Sequence, residues 1–253
     1  MLRTQRKNCL ITSQTMNKIN YQKELDKVIA DCQSRGVTPN LLLHACCAPC
    51  SSYCLEYLSE YFNITVFYFN PNISKKQEYD YRLEEEKRLI SLMDFKNPVK
   101  IVEGEYNPKD FFAAAKGLEN EPEGGKRCEQ CFKLRLRAAA QKAKELNSDY
   151  FTTTLTISPL KNADLLNRIG KEAGEEFGVS WLCSDFKKRE GYKRSIVLSH
   201  KYNLYRQNYC GCIFSANSSE NRCEQHLNPE KLKNADQCCG FIRQYDKTEA
   251  LQW

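Results

Sequence analysis

Leu41-Leu42-Leu43-His44-Ala45-Cys46-Cys47-Ala48-Pro49-Cys50 is the stretch on which the reading of this chain turns. Leu41 to Leu43 form a short apolar run of the buried-strand kind that ends at His44. The cysteines follow at once. Pro49 cannot donate a backbone proton and suits the first turn of a helix, whose amino end favours nearby thiolates. The motif therefore sits at the carboxyl end of a strand, where open α/β sheets gather their ligands. Cysteine packs well as a small hydrophobe, but three in five residues point instead to metal ligands.

Outward from this stretch the pattern alternates. A helix is expected from Tyr21 to Arg35, with Leu25, Val28, Ile29 and Cys32 on one face and Gly36 closing it. Tyr53, Leu55, Leu58 and Phe62 suggest a second helix, Ile64 to Phe69 a strand, and Lys76 to Met93 a charged helix with Leu83 and Ile90 inward. Val99 to Glu103 reads as a strand, Gly117 to Gly125 as a loop rich in glycine and acid, and Glu129 to Asn147 as a long helix with an alanine-rich middle. Tyr150 to Thr154 is a fourth strand, Asn162 to Glu176 a helix, and Val179 to Cys183 a fifth strand. This is the signature of an α/β fold: a mostly parallel sheet with helices on both faces. Residues 1–20 show no periodicity and read as a loose leader. Residues 21–216 form the α/β domain, and 217–253 an irregular tail carrying Cys223, Cys238 and Cys239 that wraps the surface.

A chain of 253 residues, 41% of them hydrophobic, can bury a full core without cross-links. Its fourteen cysteines come without a secretory leader, which argues against disulfide stapling in an oxidising compartment. No segment approaches the roughly 20 apolar residues that span a bilayer, so a soluble, cytoplasmic protein with no membrane partner is expected. The net charge of +6, from 38 basic and 32 acidic residues, is modest if spread evenly over a solvated surface. Between residues 185 and 206, however, Lys187, Lys188, Arg189, Lys193, Arg194, Lys201 and Arg206 are interleaved with Phe186, Tyr192, Tyr202 and Tyr205. Cations mixed with flat rings hold phosphates and stack bases, so a nucleic-acid substrate is expected.

Cys128-x-x-Cys131 opens the long helix, and with the first motif it offers at least four thiolates, enough for tetrahedral zinc or a cubane cluster. Structural zinc usually takes two spaced chelating pairs. Adjacent Cys46 and Cys47 would strain to bind one ion, whereas a cluster separates its corners. The Cys-x3-Cys-x2-Cys spacing of adenosylmethionine radical chemistry fails by one residue, because Tyr53 stands in the third place and Cys54 one position late. Cys210-Gly211-Cys212 is either a strained, reducible disulfide or two thiols in a turn. Phe151 to Pro159 ends a strand with a row of hydroxyls before Lys161 and Asn162. It is either a cradle for a phosphate or polar ligand, or simply a threonine-rich strand. Neither a Gly-x-x-x-x-Gly-Lys phosphate loop nor a Gly-x-Gly-x-x-Gly turn is present. His44 is either a partner of the cysteine site or a core residue.

Taken together, residues 38–216 resemble the QueH-type epoxyqueuosine reductases. The match runs through Leu42 to Cys50, Tyr68-Phe69-Asn70-Pro71-Asn72-Ile73, Glu78-Tyr79-x-x-Arg82, Arg127-Cys128-x-x-Cys131, Phe151 to Pro159, Asp185-Phe186-Lys187-Lys188, Gly191-Tyr192-Lys193-Arg194-Ser195 and Tyr205 to Cys212. The resemblance implies a sheet similar to that of the HUP-type nucleotide-binding proteins. It also implies the last step of queuosine synthesis, in which epoxyqueuosine at the tRNA wobble position loses its epoxide oxygen. The family carries a 4Fe-4S cluster and a second mononuclear metal, read here as iron. Carried onto this chain, Cys46, Cys47, Cys128 and Cys131 would hold the cluster, with Cys50 and Asp185 as candidates for the second metal. Cys210 and Cys212 would store an electron pair, an external donor would supply electrons, and Lys187, Lys188, Lys193, Arg194, Arg206 and Tyr209 would hold the anticodon stem-loop. Lys75 departs from the family, which often has proline there, and the leader and tail lie outside the match. Two rival readings are a cluster-dependent tRNA thiolation enzyme, against which the missing phosphate loop argues, and a non-catalytic, zinc-stabilised RNA-binding module.

Overall fold

A computed structural model describes residues 19–216; the leader before Ile19 and the tail from 217, with Cys223, Cys238 and Cys239, lie outside the described residues. Five strands, β1 (Asn40–Ala45), β2 (Asn63–Tyr68), β3 (Val99–Glu103), β4 (Tyr150–Thr153) and β5 (Ser180–Trp181), pair in parallel in the order β3-β2-β1-β4-β5. The expected α/β architecture is what forms. Among the described residues, seven helices of at least eight residues surround the sheet: α1 (Tyr21–Ser34), α2 (Ala48–Leu58), α3 (Lys76–Leu92), α4 (Pro108–Ala115), α5 (Lys126–Glu145), α6 (Ala163–Phe177) and α7 (Gly191–Lys201).

Alternation along the strands sorts the core into two layers. Leu41, Leu43, Ile64 and Val66 point to the face covered by Leu25 and Ile29 of α1, Leu55 and Leu58 of α2 and Leu89 of α3. Leu42, Phe67 and Phe151 point to the opposite face, under Ala139, Ala140 and Ala143 of α5 and Ala173 of α6. The alanine-rich middle of α5 has a packing reason, since small side chains let the helix lie close on the sheet.

Two differences from the expected strands have identifiable causes. β5 is shorter than Val179–Cys183 because Asn167 captures the backbone just beyond it, accepting from Ser184 N at 3.0 Å and donating to Ser184 O at 2.8 Å. The chain is thereby turned away from β4. The fourth strand stops at Thr153, where its hydroxyl accepts from Leu155 N at 3.2 Å and starts a 3-10 turn over Thr154–Ile157. α3 begins at Lys76 as expected, without a preceding proline and without a side-chain cap.

The strand order places β2 on one side of β1 and β4 on the other. After β3 the chain crosses back over the sheet through α4 and α5. The carboxyl ends of β1 and β4 thus flank the topological switch point, the crevice where α/β sheets bind ligands. No helix among the described residues is long and apolar enough to cross a membrane.

Candidate metal and redox site

Every cysteine motif of the described chain comes to this crevice or its wall. Cys46 leaves β1, Cys47 occupies the N-cap position of α2, and Pro49 stands in its first turn. Cys50 N and Ser51 N both donate to Cys47 O, at 3.1 and 3.0 Å. That turn folds the three sulfurs inward: the Sγ atoms of Cys46, Cys47 and Cys50 all lie within 4.8 Å of one another, with Cys46 and Cys47 3.8 Å apart. Thr154, at the end of β4, brackets Cys46 by accepting from its N at 3.3 Å and donating to its Sγ at 3.4 Å.

Around an adjacent small cavity stand Cys128 and Cys131 of α5 together with Cys210 and Cys212. Their spacing of three residues puts Cys128 and Cys131 on one face of α5. Cys46 and Cys128 meet the same apolar cluster of Phe132, Leu136 and Leu155. The Cys210–Cys212 loop is anchored from below. Asn72 Nδ2 and Arg82 Nη1 donate to Cys210 O at 3.2 and 3.4 Å, and Ser74 N donates to Gly211 O at 3.2 Å. The two sulfurs are 3.5 Å apart, thiols in contact and not a disulfide.

Charge is arranged to suit thiolates. Hydrogen bonds from Cys47 and Cys50, then the cations of Lys161 and Arg135, hold the Cys46 thiol well below its ordinary pKa against burial. Cys47 is pushed up to about 12, first by its bond to Cys46, and Cys50 is raised for the same reason. Cys210 is lowered to about 5 by its bond to Cys212 and by Lys161, while Cys212 is raised. Burial raises Cys128, and pushes Cys131 up to about 11. The Cys46–Cys47–Cys50 turn and the Cys210–Cys212 loop thus each favour one thiolate beside protonated neighbours, while Cys128 and Cys131 both favour the thiol.

His44 is a core residue with its ring already engaged. It is fully buried, Nδ1 meets Thr153 Oγ1 at 2.8 Å, and Nε2 lies 3.1 Å from Phe69 O and 3.3 Å from Arg135 Nε. Burial and Arg135 push its pKa down to about 3, so it is neutral. The donors left for a metal are sulfurs, and an all-thiolate set suits iron-sulfur clusters or zinc. Contrary to the expected strain, the Cys46–Cys47–Cys50 turn is also compact enough for a single tetrahedral ion, whose sulfurs at ~2.3 Å from the metal stand ~3.8 Å apart.

The remaining candidates separate into two groups. Asp185, on the loop leaving β5, has its Oδ1 2.9 Å from Lys187 Nζ and lies outside the metal-capable trio. Lys187 is turned inward, donating to Thr156 O at 2.9 Å. Lys193 pairs with Glu190, Arg194 binds Glu56 through two nitrogens at 2.9 and 2.6 Å, and Arg189 binds Asp26 at 2.7 Å. Exposed Lys188 has no ion pair among the described residues. Arg206 donates to Ser199 Oγ at 3.0 Å and likewise has no carboxylate partner there. Surface pairs are worth only ~0–1 kcal/mol, so phosphates can displace those of Lys193 and Arg194 but not the internal bonds of Lys187. Tyr209 is half-buried, with the Arg82 guanidinium 5.1 Å from its ring centre.

Asn72 and Arg82 entered the sequence reading only as motif residues without a role, and Glu86 was not singled out. Their signal was available: Tyr79, Arg82, Leu83, Glu86 and Leu89 form the buried stripe of α3, so two charged residues occupy positions that periodicity assigns to the core. The helices α4 and α7 were missed as well. Asn107-Pro108, an N-cap followed by proline, marks the start of α4.

The family model of epoxyqueuosine reductase QueH matches residues 41–218. The chain is 45% identical over 215 residues to the epoxyqueuosine reductase QueH of Staphylococcus epidermidis, covering 83% of this chain and 90% of that one. It is 43% identical over 201 residues to the protein of the same name from Streptococcus pyogenes, covering 79% of each. The Thermotoga maritima protein of that name is 34% identical over 181 residues, covering 69% of this chain and 89% of the relative.

Proposed function

Because this chain belongs to the epoxyqueuosine reductase QueH family, we propose that it removes the epoxide oxygen of epoxyqueuosine at the wobble position of tRNA, completing queuosine in the cytoplasm. That it is an oxidoreductase of queuosine biosynthesis follows from the family. The observation that carries the finer reading is the gathering of four cysteine motif members, Cys128, Cys131, Cys210 and Cys212, around one cavity beside the Cys46–Cys47–Cys50 turn.

Cys46, Cys47, Cys128 and Cys131 are the proposed ligands of a 4Fe-4S cluster, and Cys50 with Asp185 those of a second metal, iron. When bound, these groups would supply single-electron transfer and Lewis acidity. Asp185 would have to exchange Lys187 for that role. Converting an epoxide to an alkene and water consumes two electrons and two protons. Oxidising Cys210 and Cys212 to a disulfide releases the same number of each, and an external donor then restores the thiols. Their sulfurs need to close from 3.5 Å to the ~2.05 Å of a disulfide. Lys188, Lys193, Arg194 and Arg206 would hold the phosphates of the anticodon stem-loop, with the modified base splayed into the cavity near Tyr209.

The compact Cys46–Cys47–Cys50 trio favours one second reading, a mononuclear thiolate site there in place of a shared cluster. One experiment separates the two. Anaerobically purified protein is supplied with a chemical reductant and tRNA carrying epoxyqueuosine, and the nucleosides are analysed by mass. Conversion, with several irons per chain and broad visible absorbance lost in Cys46→Ala and Cys128→Ala, supports the cluster reading. Conversion with one metal ion per chain supports the second. Absence of conversion overturns the reductase reading.

A further inference from the structure

Two groups on residues that line the central cavity lack partners among the described residues and are chemically complementary; the buried Arg127 Nε is also without a partner but belongs to a guanidinium held through its Nη1. Asn72 is 1% exposed, and its amide nitrogen is used, donating to Cys210 O at 3.2 Å. Its Oδ1 accepts nothing among the described residues, although it is fully buried. An unmet buried acceptor costs about 1–3 kcal/mol, and native proteins keep such groups chiefly where a ligand, an ion or water meets them.

Lys161 is the second. The other cations on this wall are committed: Arg135 to Asn70 Oδ1 and the His44 ring, and Arg127 to the carbonyls of Leu118 and Glu119 at 3.3 and 2.8 Å. Lys161 has neither an ion pair nor a side-chain hydrogen bond among the described residues, yet it lines the same cavity. Its backbone is pinned, with N donating to Ser158 O at 3.2 Å and O accepting from Lys187 Nζ at 3.5 Å. An ammonium without an ion pair and an amide oxygen without a donor, on residues that line one cavity, form a donor–acceptor pair for a small polar group.

We propose that Lys161 and Asn72 are the residues that grip the epoxide-bearing group of the substrate: the Lys161 ammonium donates to the epoxide oxygen, and Asn72 Oδ1 accepts from an O–H or N–H beside it. This rests on the reductase reading above. It assigns recognition of the modification to the cavity wall, and separates it from the phosphate-binding cations, which meet any tRNA alike. The ammonium also stands where negative charge develops as the carbon–oxygen bond opens, and a preorganised cation there favours the reaction.

The test uses the anaerobically prepared full chain and two forms of one tRNA, carrying epoxyqueuosine or guanine at the wobble position. The affinity ratio between them and the single-turnover conversion rate are measured for wild type, Lys161→Met, Lys161→Arg, Asn72→Ala and Ser74→Ala. Ser74 is a control for loop docking: its Oγ accepts from Ile213 N at 3.1 Å, tethering the same loop without reaching the cavity. Lys161→Met is expected to slow conversion about 10–100-fold with iron content unchanged, and Lys161→Arg to recover part of it. Asn72→Ala is expected to cut the preference for the epoxide-bearing tRNA about 3–10-fold, with binding of the guanine form unchanged. Ser74→Ala, which loosens the same loop, should slow conversion while leaving the preference between the two tRNAs unchanged. Wild-type values in Lys161→Met and Asn72→Ala overturn the proposal, as does loss of iron in Lys161→Met or an equal loss of preference in Ser74→Ala. Failure of the wild type to convert the epoxide sinks the reductase reading instead.

Discussion

Replacing Glu86 by glutamine should make the protein more stable, and by an amount that grows with pH. Glu86 lies on α3 at 0% exposure, and neither carboxylate oxygen has a hydrogen-bond partner among the described residues. Burial, opposed by the neighbouring Ser51 hydroxyl and reinforced by Cys46, pushes its pKa from 4.5 up to about 8. Between those values the native protein binds a proton that the unfolded chain has released, so stability falls as pH rises through that window and levels off above it. At about 1.36 kcal/mol per unit, the penalty is ~3 kcal/mol near pH 7 and ~5 kcal/mol above pH 8. Glu86→Gln keeps the volume and removes the ionisation. Urea unfolding of wild type and variant under anaerobic conditions, at about pH 5, 6, 7 and 8, reads the difference directly. The two should be nearly equal at the acid end, with the variant gaining at every step upward. A difference that is flat with pH, or a variant less stable at pH 8 than wild type, refutes the reasoning.

Gly211→Ala should displace the Cys210–Cys212 loop, because Gly211 has φ +105° and an added Cβ would stand 2.7 Å from Ile73 Cγ1. The backbone cost is about 1–2 kcal/mol; single-turnover conversion should fall by more than this loss of stability accounts for, and wild-type turnover would count against the loop's role. Gly170→Ala should cost about 1–3 kcal/mol in denaturant unfolding, since its Cβ would lie 2.3 Å from the Trp181 ring and push α6 off β5; an unchanged midpoint would show that the contact yields freely. Cys210→Ser and Cys212→Ser should each lose turnover while metal content and visible spectrum persist. Full activity in the double variant would remove the pair from the mechanism.

Periodicity alone carried the fold. The apolar run at Leu41–Leu43, the alternation of short strands with long helices and the alanine-rich stretch of α5 sufficed for a parallel α/β sheet, because burial on two faces imposes those patterns locally. The cysteine motifs were legible for the same reason: Cys46, Cys47 and Cys50 share one turn, Cys128 and Cys131 one helical face, and Cys210 and Cys212 one glycine-centred loop. What lay beyond the sequence was which of its cations are already paired. The cations between Lys187 and Arg206 read as a free phosphate-binding stripe, yet Lys187, Lys193 and Arg194 meet Asp185, Glu190 and Glu56, two of them close in the chain and one far away.

The sequence by itself determined which thiols could be close through their own local backbone, and that the first of them follows a buried strand. Only the tertiary structure decided that α5 and the loop after α7 bring their thiols to the crevice between β1 and β4. Only it showed that Asn72, its buried Oδ1 without a donor, and Lys161, without an ion pair among the described residues, line the same cavity. The reason is physical: a helical or extended period reports which side of an element is buried, whereas whether a buried charge or amide finds a partner depends on side chains brought in from other elements of the fold.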